Sequence, residues 1–392
     1  MAGPVRVLIV DDSAMVRKVL SMGFANDPGI EVMAEASSAE AAWEIMRQDR
    51  PDVITLDVEM PRIDGLTFLR HFLPLMPIPT VMISSLTRAG AEITVQAMQA
   101  GAVDVISKPS LGLASGLPAI MTDICDRVRA AAGARVARGS ASLRHTAPAP
   151  QPAAMPAPNG FRRPAQPEAR PARPVDPHPA PRGDVPAPTF SAPRNACPLL
   201  AIGSSTGGVQ ALSAILPAFP ADCPGIAIVQ HMPEGFTGPF AARLNALCAI
   251  SVREAQEGDI LHPGEALVAP GGTRHMTVSP HGRGTYRIHL VEGDPVCFSR
   301  PSVDVLFESV ARAAGSSAIA AVLTGMGRDG ARGLLTIRSI GGTTLAQDEA
   351  TSVVYGMPMA ARDIGAAQSV LPLTEIPARM LQAVTHRQAA RA

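Results

Sequence analysis

Aromatic side chains are scarce, at 3% of 392 residues, with one Trp and two Tyr. Excess charge is absent: 34 Lys and Arg balance 34 Asp and Glu, for a formal net charge of zero. That balance removes any bulk electrostatic case for nucleic acid or an anionic membrane as partner. No apolar run approaches transmembrane length, so direct membrane insertion is not expected, and the N-terminus carries no signal-peptide pattern. The five cysteines (Cys125, Cys197, Cys223, Cys248, Cys297) are odd in number and scattered, with no C-x-x-C pair and no metal-ligand cluster. Reduced, mostly buried thiols in a cytosolic protein are the expectation. Few aromatics with many Ala, Gly, Val and Pro fit α/β architecture plus one disordered segment.

The length exceeds one ordinary core and implies two domains. Over residues 1–132, apolar runs alternate with helical patterns: Val5–Val10 then Met15–Phe24, Glu31–Ala36 then Glu40–Arg47, Val53–Leu56 then Leu66–Phe72. Thr80–Ile83, Glu92–Ala100, Val103–Ile106 and Ile120–Ala131 continue the alternation. Five strands each followed by a helix predict a doubly wound parallel sheet, whose ligands bind beyond the strands' carboxyl ends. Residues 133–196 are dominated by Pro, Ala and Arg without periodicity, the composition of a disordered linker. From 197 to about 385 the alternation resumes. Leu199–Ile202, Ile226–Val229, Ala266–Val268, Ile319–Leu323 and Thr343–Leu345 are predicted strands. Val209–Leu216, Pro239–Leu247, Val303–Ala314 and Ala331–Ser339 are predicted helices. Met276–Ser279 and Thr285–Leu290 flank Pro280-His281-Gly282-Arg283-Gly284, a predicted hairpin in an otherwise parallel domain.

Gly203-Ser204-Ser205-Thr206-Gly207-Gly208 joins the first predicted strand of the second domain to its first predicted helix. It contains Gly-x-Ser-x-Gly centred on Ser205. It lacks the Lys of a P-loop and does not fit Gly-x-Gly-x-x-Gly. Free N–H groups at such a helix start favour negative charge, whether a bound phosphate or the oxyanion formed when a serine attacks a carbonyl. The turn alone leaves both open. A serine nucleophile needs a base oriented by a third group. His231 follows the second strand and Asp329 lies in Thr324-Gly325-Met326-Gly327-Arg328-Asp329-Gly330, after the strand Ile319–Leu323. All three leave the same predicted sheet edge. The order Ser…His…Asp differs from that of the α/β-hydrolases. Taken singly, each has a plainer role: Asp329 before Gly330 as a turn, His231 as one of nine histidines.

In the first domain, Asp11 and Asp12 follow the first strand, Asp57 closes the third and Lys108 follows the fifth. With strand order 2-1-3-4-5 these converge. Helix capping by Asp12 or Ser13 accounts for one residue and not the others. Three carboxylates beside a lysine suit a magnesium and phosphoryl site. Val10-Asp11-Asp12-Ser13, Leu56-Asp57-Val58-Glu59-Met60-Pro61, Asp64-Gly65, Ser84-Ser85 and Lys108-Pro109 closely resemble a flavodoxin-like response-regulator receiver domain. The resemblance implies Asp57 as phosphoacceptor and Asp11, Asp12, Asp57 and the Glu59 carbonyl as Mg²⁺ ligands. It also implies Ser84 as switch hydroxyl and Lys108 as the phosphoryl contact. Val105 stands where many receivers carry an aromatic residue.

The second domain resembles the CheB family of chemotaxis protein-glutamate methylesterases over nearly its whole length, as a Rossmann-like catalytic domain. The matching pieces include Ile202 to Gly208, Gln230-His231-Met232-Pro233, Gly235-Phe236-Thr237, Ala269-Pro270-Gly271, Arg300 to Phe307, Leu323 to Gly327, Leu345-Ala346-Gln347 and Val354 to Pro358. The linker is long for that family. The resemblance implies a triad of Ser205, His231 and Asp329, with backbone N–H groups at Thr206 and Met326 holding the oxyanion and no metal in this domain. The implied substrates are γ-methyl glutamate esters and selected glutamines on methyl-accepting chemoreceptors. The implied phosphodonor is a sensory histidine kinase, and the implied location the cytoplasm. The alternative is a nucleotide-binding or adaptor output built on the glycine turn; a DNA-binding output lacks any basic helix-turn-helix pattern.

Overall fold

A computed structural model describes residues 3–85, 87–108, 117–135, 197–282 and 284–389. The predicted linker, from residue 136 on, lies outside the described residues, as do Pro109 and Arg283.

The N-terminal half alternates β1 (Val5–Val10), α1 (Ala14–Ala25), β2 (Ile30–Ala36), α2 (Ala39–Gln48), β3 (Val53–Asp57), α3 (Gly65–Phe72), β4 (Thr80–Ser84), α4 (Arg88–Ala100), β5 (Asp104–Ser107) and α5 (Leu117–Ala132). The strands form one parallel sheet in the order β2-β1-β3-β4-β5, as predicted. β3 and β4 are buried along their whole length, which is why they read as continuous apolar runs. α4 begins a turn earlier than the apolar spacing indicates, because the Thr87 side chain caps it by accepting the Gly90 N–H at 3.0 Å.

The C-terminal half contains β6 (Leu199–Ser204), α6 (Gly208–Ile215), β7 (Ile226–Gln230), α7 (Thr237–Asn245), β8 (Ser251–Glu254), β9 (Ile260–Leu261), β10 (Glu265–Val268), β11 (Arg274–His281) and β12 (Thr285–Glu292). It continues with α8 (Val303–Ala314), β13 (Ala318–Val322), α9 (Ala331–Ser339), β14 (Thr343–Gln347), α10 (Met357–Asp363), β15 (Ser369–Leu371) and α11 (Ile376–Ala389). Seven strands form a parallel sheet in the order β15-β14-β13-β6-β7-β10-β8. The predicted sheet had five; β8 and β15 are short, partly exposed edge strands with no apolar run to mark them. The chain leaves β6 toward β7 on one side and returns as β13 on the other. β6 is thus the switch point of the sheet, where a crevice opens. The hairpin is longer than predicted and pairs Pro280 with Tyr286. Proline is tolerated there because β11 is the edge of the β11-β12-β9 sheet.

All five thiols are free, but only Cys125 and Cys223 are buried; Cys197, Cys248 and Cys297 are half-buried, against the expectation of mostly buried thiols. The scattered spacing gives no hint of which positions lie near the surface.

Gly65 starts α3 against the site-bearing end of β3. A Cβ there would stand 2.0 Å from the Asp57 carbonyl oxygen, which is backbone and has little room to yield. Gly65→Ala is expected to cost about 1–3 kcal/mol, read as a lower midpoint in thermal unfolding.

Candidate functional site

The acidic cluster assembles at the carboxyl edge of the first sheet. Asp11 and Asp57 are each 1% exposed, and Asp12 is exposed. One oxygen from each of the three lies within 4.8 Å of the others. Lys108 Nζ donates to Asp57 Oδ2 at 2.7 Å and stands 3.3 Å from Asp11 Oδ2. That Asp11 oxygen is buried and makes no hydrogen bond. Ser13 caps α1 by accepting the Val16 N–H, so the cluster does not owe its carboxylates to capping. Burial pushes the Asp57 carboxyl up to about 6, against the Lys108 hydrogen bond and with the added repulsion of Asp11. A buried carboxylate oxygen without a hydrogen bond, an all-oxygen donor set and a raised carboxyl fit a hard divalent cation. Ser84 is fully buried, and its hydroxyl donates to the Ser85 carbonyl at 3.2 Å.

The second constellation sits at the carboxyl ends of three adjacent strands. Ser205 follows β6, His231 follows β7 and Asp329 follows β13, flanking the switch point. Ser205, His231 and Asp329 are all buried, His231 being 7% exposed. Gly207 caps α6 at φ 79°, a conformation that glycine adopts without cost. The Ser205 N–H donates to the Thr324 carbonyl at 3.0 Å, and the Ser205 carbonyl accepts from Gln230 Nε2 at 2.9 Å. A Cβ on Gly325 would lie 2.7 Å from that of Ser205, so the strip carrying Met326 passes directly against the serine. Among the described residues, the N–H groups of Thr206 and Met326 donate to no protein acceptor.

Asp329 is the most heavily bonded group of the site. Its Oδ2 contacts His231 Nε2 at 2.9 Å and accepts the Val303 N–H at 2.7 Å. Its Oδ1 accepts from Ser302 Oγ and from the N–H groups of Asp304 and Gly330. The carboxylate therefore rests on the N-terminus of α8. Burial pushes its carboxyl up, but His231 and the α8 amides outweigh that and hold it below the usual carboxylate range. Being ionised, Asp329 accepts only, so Nε2 carries a ring proton, and in the neutral ring Nδ1 presents the lone pair.

That lone pair does not face Ser205. No hydrogen bond joins Ser205 to His231 among the described residues; Nδ1 lies 3.2 Å from Ser299 Oγ. Sequence reasoning missed Ser299, which sits in Cys297-Phe298-Ser299-Arg300 without any motif. It also missed Ser302, although a serine directly before a helical pattern is a capping signal. Cys297, Asp304 and Asp329 each place one ligand-type atom within 4.8 Å of the others, a grouping the sequence spacing did not suggest.

The receiver-like half touches the serine turn. Thr206 Oγ1 donates to Asp104 Oδ2 at 2.7 Å, and the Gly207 N–H donates to the Val103 carbonyl at 3.1 Å. Gln210 Nε2, in the first turn of α6, donates to the Met98 carbonyl at 2.6 Å and to that of Ala102. Asp104 was not among the expected site residues; its signal was a lone carboxylate opening an apolar strand.

Comparison with known proteins follows this geometry. The "CheB methylesterase" family description matches residues 200–380, and "Response regulator receiver domain" matches residues 7–112. A Cereibacter sphaeroides protein named protein-glutamate methylesterase/protein-glutamine glutaminase 2 is 53% identical over 97% of this chain and 92% of its own. A Pseudomonas aeruginosa protein of the same name is 45% identical over 98% of each. The Thermotoga maritima CheB methylesterase catalytic domain covers 48% of this chain and 98% of its own at 38% identity, with a TM-score of 0.46. No helix among the described residues is long and apolar enough to cross a membrane.

Asp304, beside Asp329, gives a pH test of how this buried cluster is tuned. Its Oδ2 has no hydrogen-bond partner, and burial pushes its carboxyl up to about 6 against the Gly333 N–H, with the Asp329 charge adding to the rise. A carboxyl raised on folding binds its proton more tightly when folded. It therefore costs no stability below its ordinary value of 3.8 and an increasing amount as pH rises from there to about 6. Asp304→Asn is expected to stabilise the protein at pH 8 by on the order of 2 kcal/mol and to leave it unchanged below pH 4. Denaturant midpoints across that range check it.

Proposed function

We propose, from the premise that this chain belongs to the CheB methylesterase family, that it is a phosphorylation-regulated hydrolase acting in the cytoplasm in chemotactic adaptation. It demethylates glutamate methyl esters on chemoreceptors and deamidates specific receptor glutamines. The observation that carries the reading is the Asp329–His231 pair at 2.9 Å, on strands either side of the one that delivers Ser205.

Ser205 Oγ attacks the side-chain carbonyl as its proton passes to His231 Nδ1. Asp329, already holding Nε2–H, stabilises the imidazolium. The N–H groups of Thr206 and Met326 receive the oxyanion; that they donate to no other protein acceptor supports the assignment. His231 then protonates the departing methoxide or amine, and methanol or ammonia leaves. Water, deprotonated by the same imidazole, attacks the acyl-serine and releases the glutamate carboxylate.

The receiver half sets when this happens. Asp57 takes a phosphoryl group from a sensory histidine kinase; Asp11, Asp12, Asp57 and the Glu59 carbonyl would hold Mg²⁺ there. When bound, the cation offsets the charge gathered around the transferred group. Lys108 contacts the phosphoryl oxygens and Ser84 follows them. Before phosphorylation, β5 covers the serine turn: the Asp104 and Val103 contacts occupy Thr206 and Gly207, beside the oxyanion position. Phosphorylation weakens that cover.

The direct test is methanol release from methyl-labelled receptor membranes. Ser205→Ala and His231→Ala are each expected to lower it by roughly a thousandfold or more, and Asp329→Asn to leave a small residual rate. Near-normal turnover by Ser205→Ala would sink the mechanism.

A second set of variants tests the regulation. Removing residues 1–132 is expected to raise basal hydrolysis. Asp57→Ala is expected to keep basal hydrolysis low while abolishing stimulation by a phosphodonor. A truncated protein with lower activity would make the receiver an activator instead.

A further inference from the structure

We infer that Phe298 is the anchor by which the esterase half grips the polypeptide carrying its glutamyl ester, packing on an apolar side chain that flanks the target residue. This rests on the hydrolase reading above and extends it to how the protein substrate is held.

Three observations meet at one turn. First, Val296 and Ser299 exchange both backbone hydrogen bonds, at 3.1 and 2.9 Å, closing a two-residue hairpin turn. Its central residues, Cys297 at φ 49° and Phe298 at φ 63°, are both left-handed. This is the type I′ geometry that Asn-Gly serves without strain and that two bulky L-residues resist. Only one other non-glycine residue among those described, Arg62, has a positive φ. Strain of this kind persists where the surroundings enforce it, and such places concentrate at functional sites.

Second, the turn presents its two side chains differently. Cys297 is half-buried, with its thiol beside the Asp304 and Asp329 carboxylates. Phe298 is 100% exposed, while the next most exposed large apolar side chain, Leu75, reaches 64%. The ring packs against none of the described residues.

Third, the turn is fixed to the catalytic groups on its C-terminal side. Ser299 lies 3.2 Å from His231 Nδ1. Arg300 donates to the Gly272 and Gly293 carbonyls. Ser302, Val303 and Asp304 all donate to Asp329. Adjacent Cα atoms are about 3.8 Å apart, so Phe298 stands one residue from a group touching the base. A glutamyl ester side chain spans roughly 5 Å from its own Cα. A polypeptide that delivers such an ester to the His231 site comes within reach of this ring. An apolar neighbour of the target residue would bury the ring on arrival, and a small ester would never meet it.

The test uses the full chain with Mg²⁺ and a small phosphodonor. It compares two substrates: a soluble methylated receptor fragment and a capped single-residue glutamate γ-methyl ester. Two variants are used, Phe298→Ala and the double change Cys297→Asn/Phe298→Gly. The second retains the turn and removes its strain, so loss of folding cannot account for its behaviour. Both are expected to raise KM for the fragment about tenfold or more, the worth of one buried aromatic contact. kcat on the fragment and kcat/KM on the small ester are expected to stay within twofold. Equal losses on both substrates would mean that the turn acts through His231 alone and would overturn the anchor. Unchanged KM for the fragment would overturn it too. If the unaltered protein hydrolyses neither ester, the hydrolase reading itself falls, and that outcome is distinct from the others.

Discussion

A buried carboxylate with five hydrogen bonds holds the catalytic half in register. Asp329 draws on His231, Ser302, Val303, Asp304 and Gly330, which come from the end of β7, the start of α8 and its own loop. Left without partners, a buried carboxylate would cost several kcal/mol or take up a proton. Satisfied by the free amides of a helix N-terminus, it stays ionised. Its charge then fixes which ring nitrogen of His231 carries the proton, so the helix start governs the imidazole through the carboxylate. Ser302, which caps α8 and also donates to Asp329, ties the cap and the base to one hydroxyl.

The two halves share a sheet type and use it differently. In each, side chains gather at the carboxyl ends of parallel strands around a switch point. In the first half they are three carboxylates beside a lysine; in the second they are a hydroxyl, an imidazole and a carboxylate. β5 connects the two. Its first residue, Asp104, accepts from Thr206, and Lys108, directly after its last residue, binds Asp57. Four strand residues span roughly 13 Å. The buried Val105 lies in that short strand, at the position where many receivers carry an aromatic side chain. Asp104 and Lys108 thus stand at the two ends of one short strand, one facing Thr206 and the other Asp57. Arg127 also holds Asp104, at 3.2 Å, so the carboxylate facing Thr206 is steadied from within its own half.

Much of this was legible in the sequence because the signals were local. Gly-x-Ser-x-Gly between an apolar run and a helical pattern marks Ser205, and the carboxyl ends of β1, β3 and β5 mark Asp11, Asp57 and Lys108. What escaped depends on distant segments meeting. Ser299 reaches His231 across 68 positions, and Asp104 reaches Thr206 across 102. Neither carries a pattern, since a single hydrogen bond requires only one polar atom in the right place. β8 and β15 escaped for another reason: edge strands need neither length nor two apolar faces. The left-handed pair Cys297-Phe298 is opposite in kind, because its local sequence argues against the turn that the tertiary contacts impose.

The Ser299 contact bears on how the base begins its work. Nδ1 has one lone pair and cannot accept from Ser299 and Ser205 together. On the proposed mechanism the arrangement with Ser299 is a resting one, and attack by Ser205 requires the imidazole to exchange one hydroxyl for another. A neutral hydrogen bond contributes about 0.5–1.5 kcal/mol net, and the exchange replaces one such bond with its like. A step of this size is small beside the barrier of about 16 kcal/mol that a typical kcat of about 10 per second implies. What the resting contact does supply is order. It satisfies the lone pair of a buried ring while no substrate is present, without moving the Asp329 bond that determines the tautomer. Ser299 thus gives the buried imidazole a polar partner on the side away from Asp329.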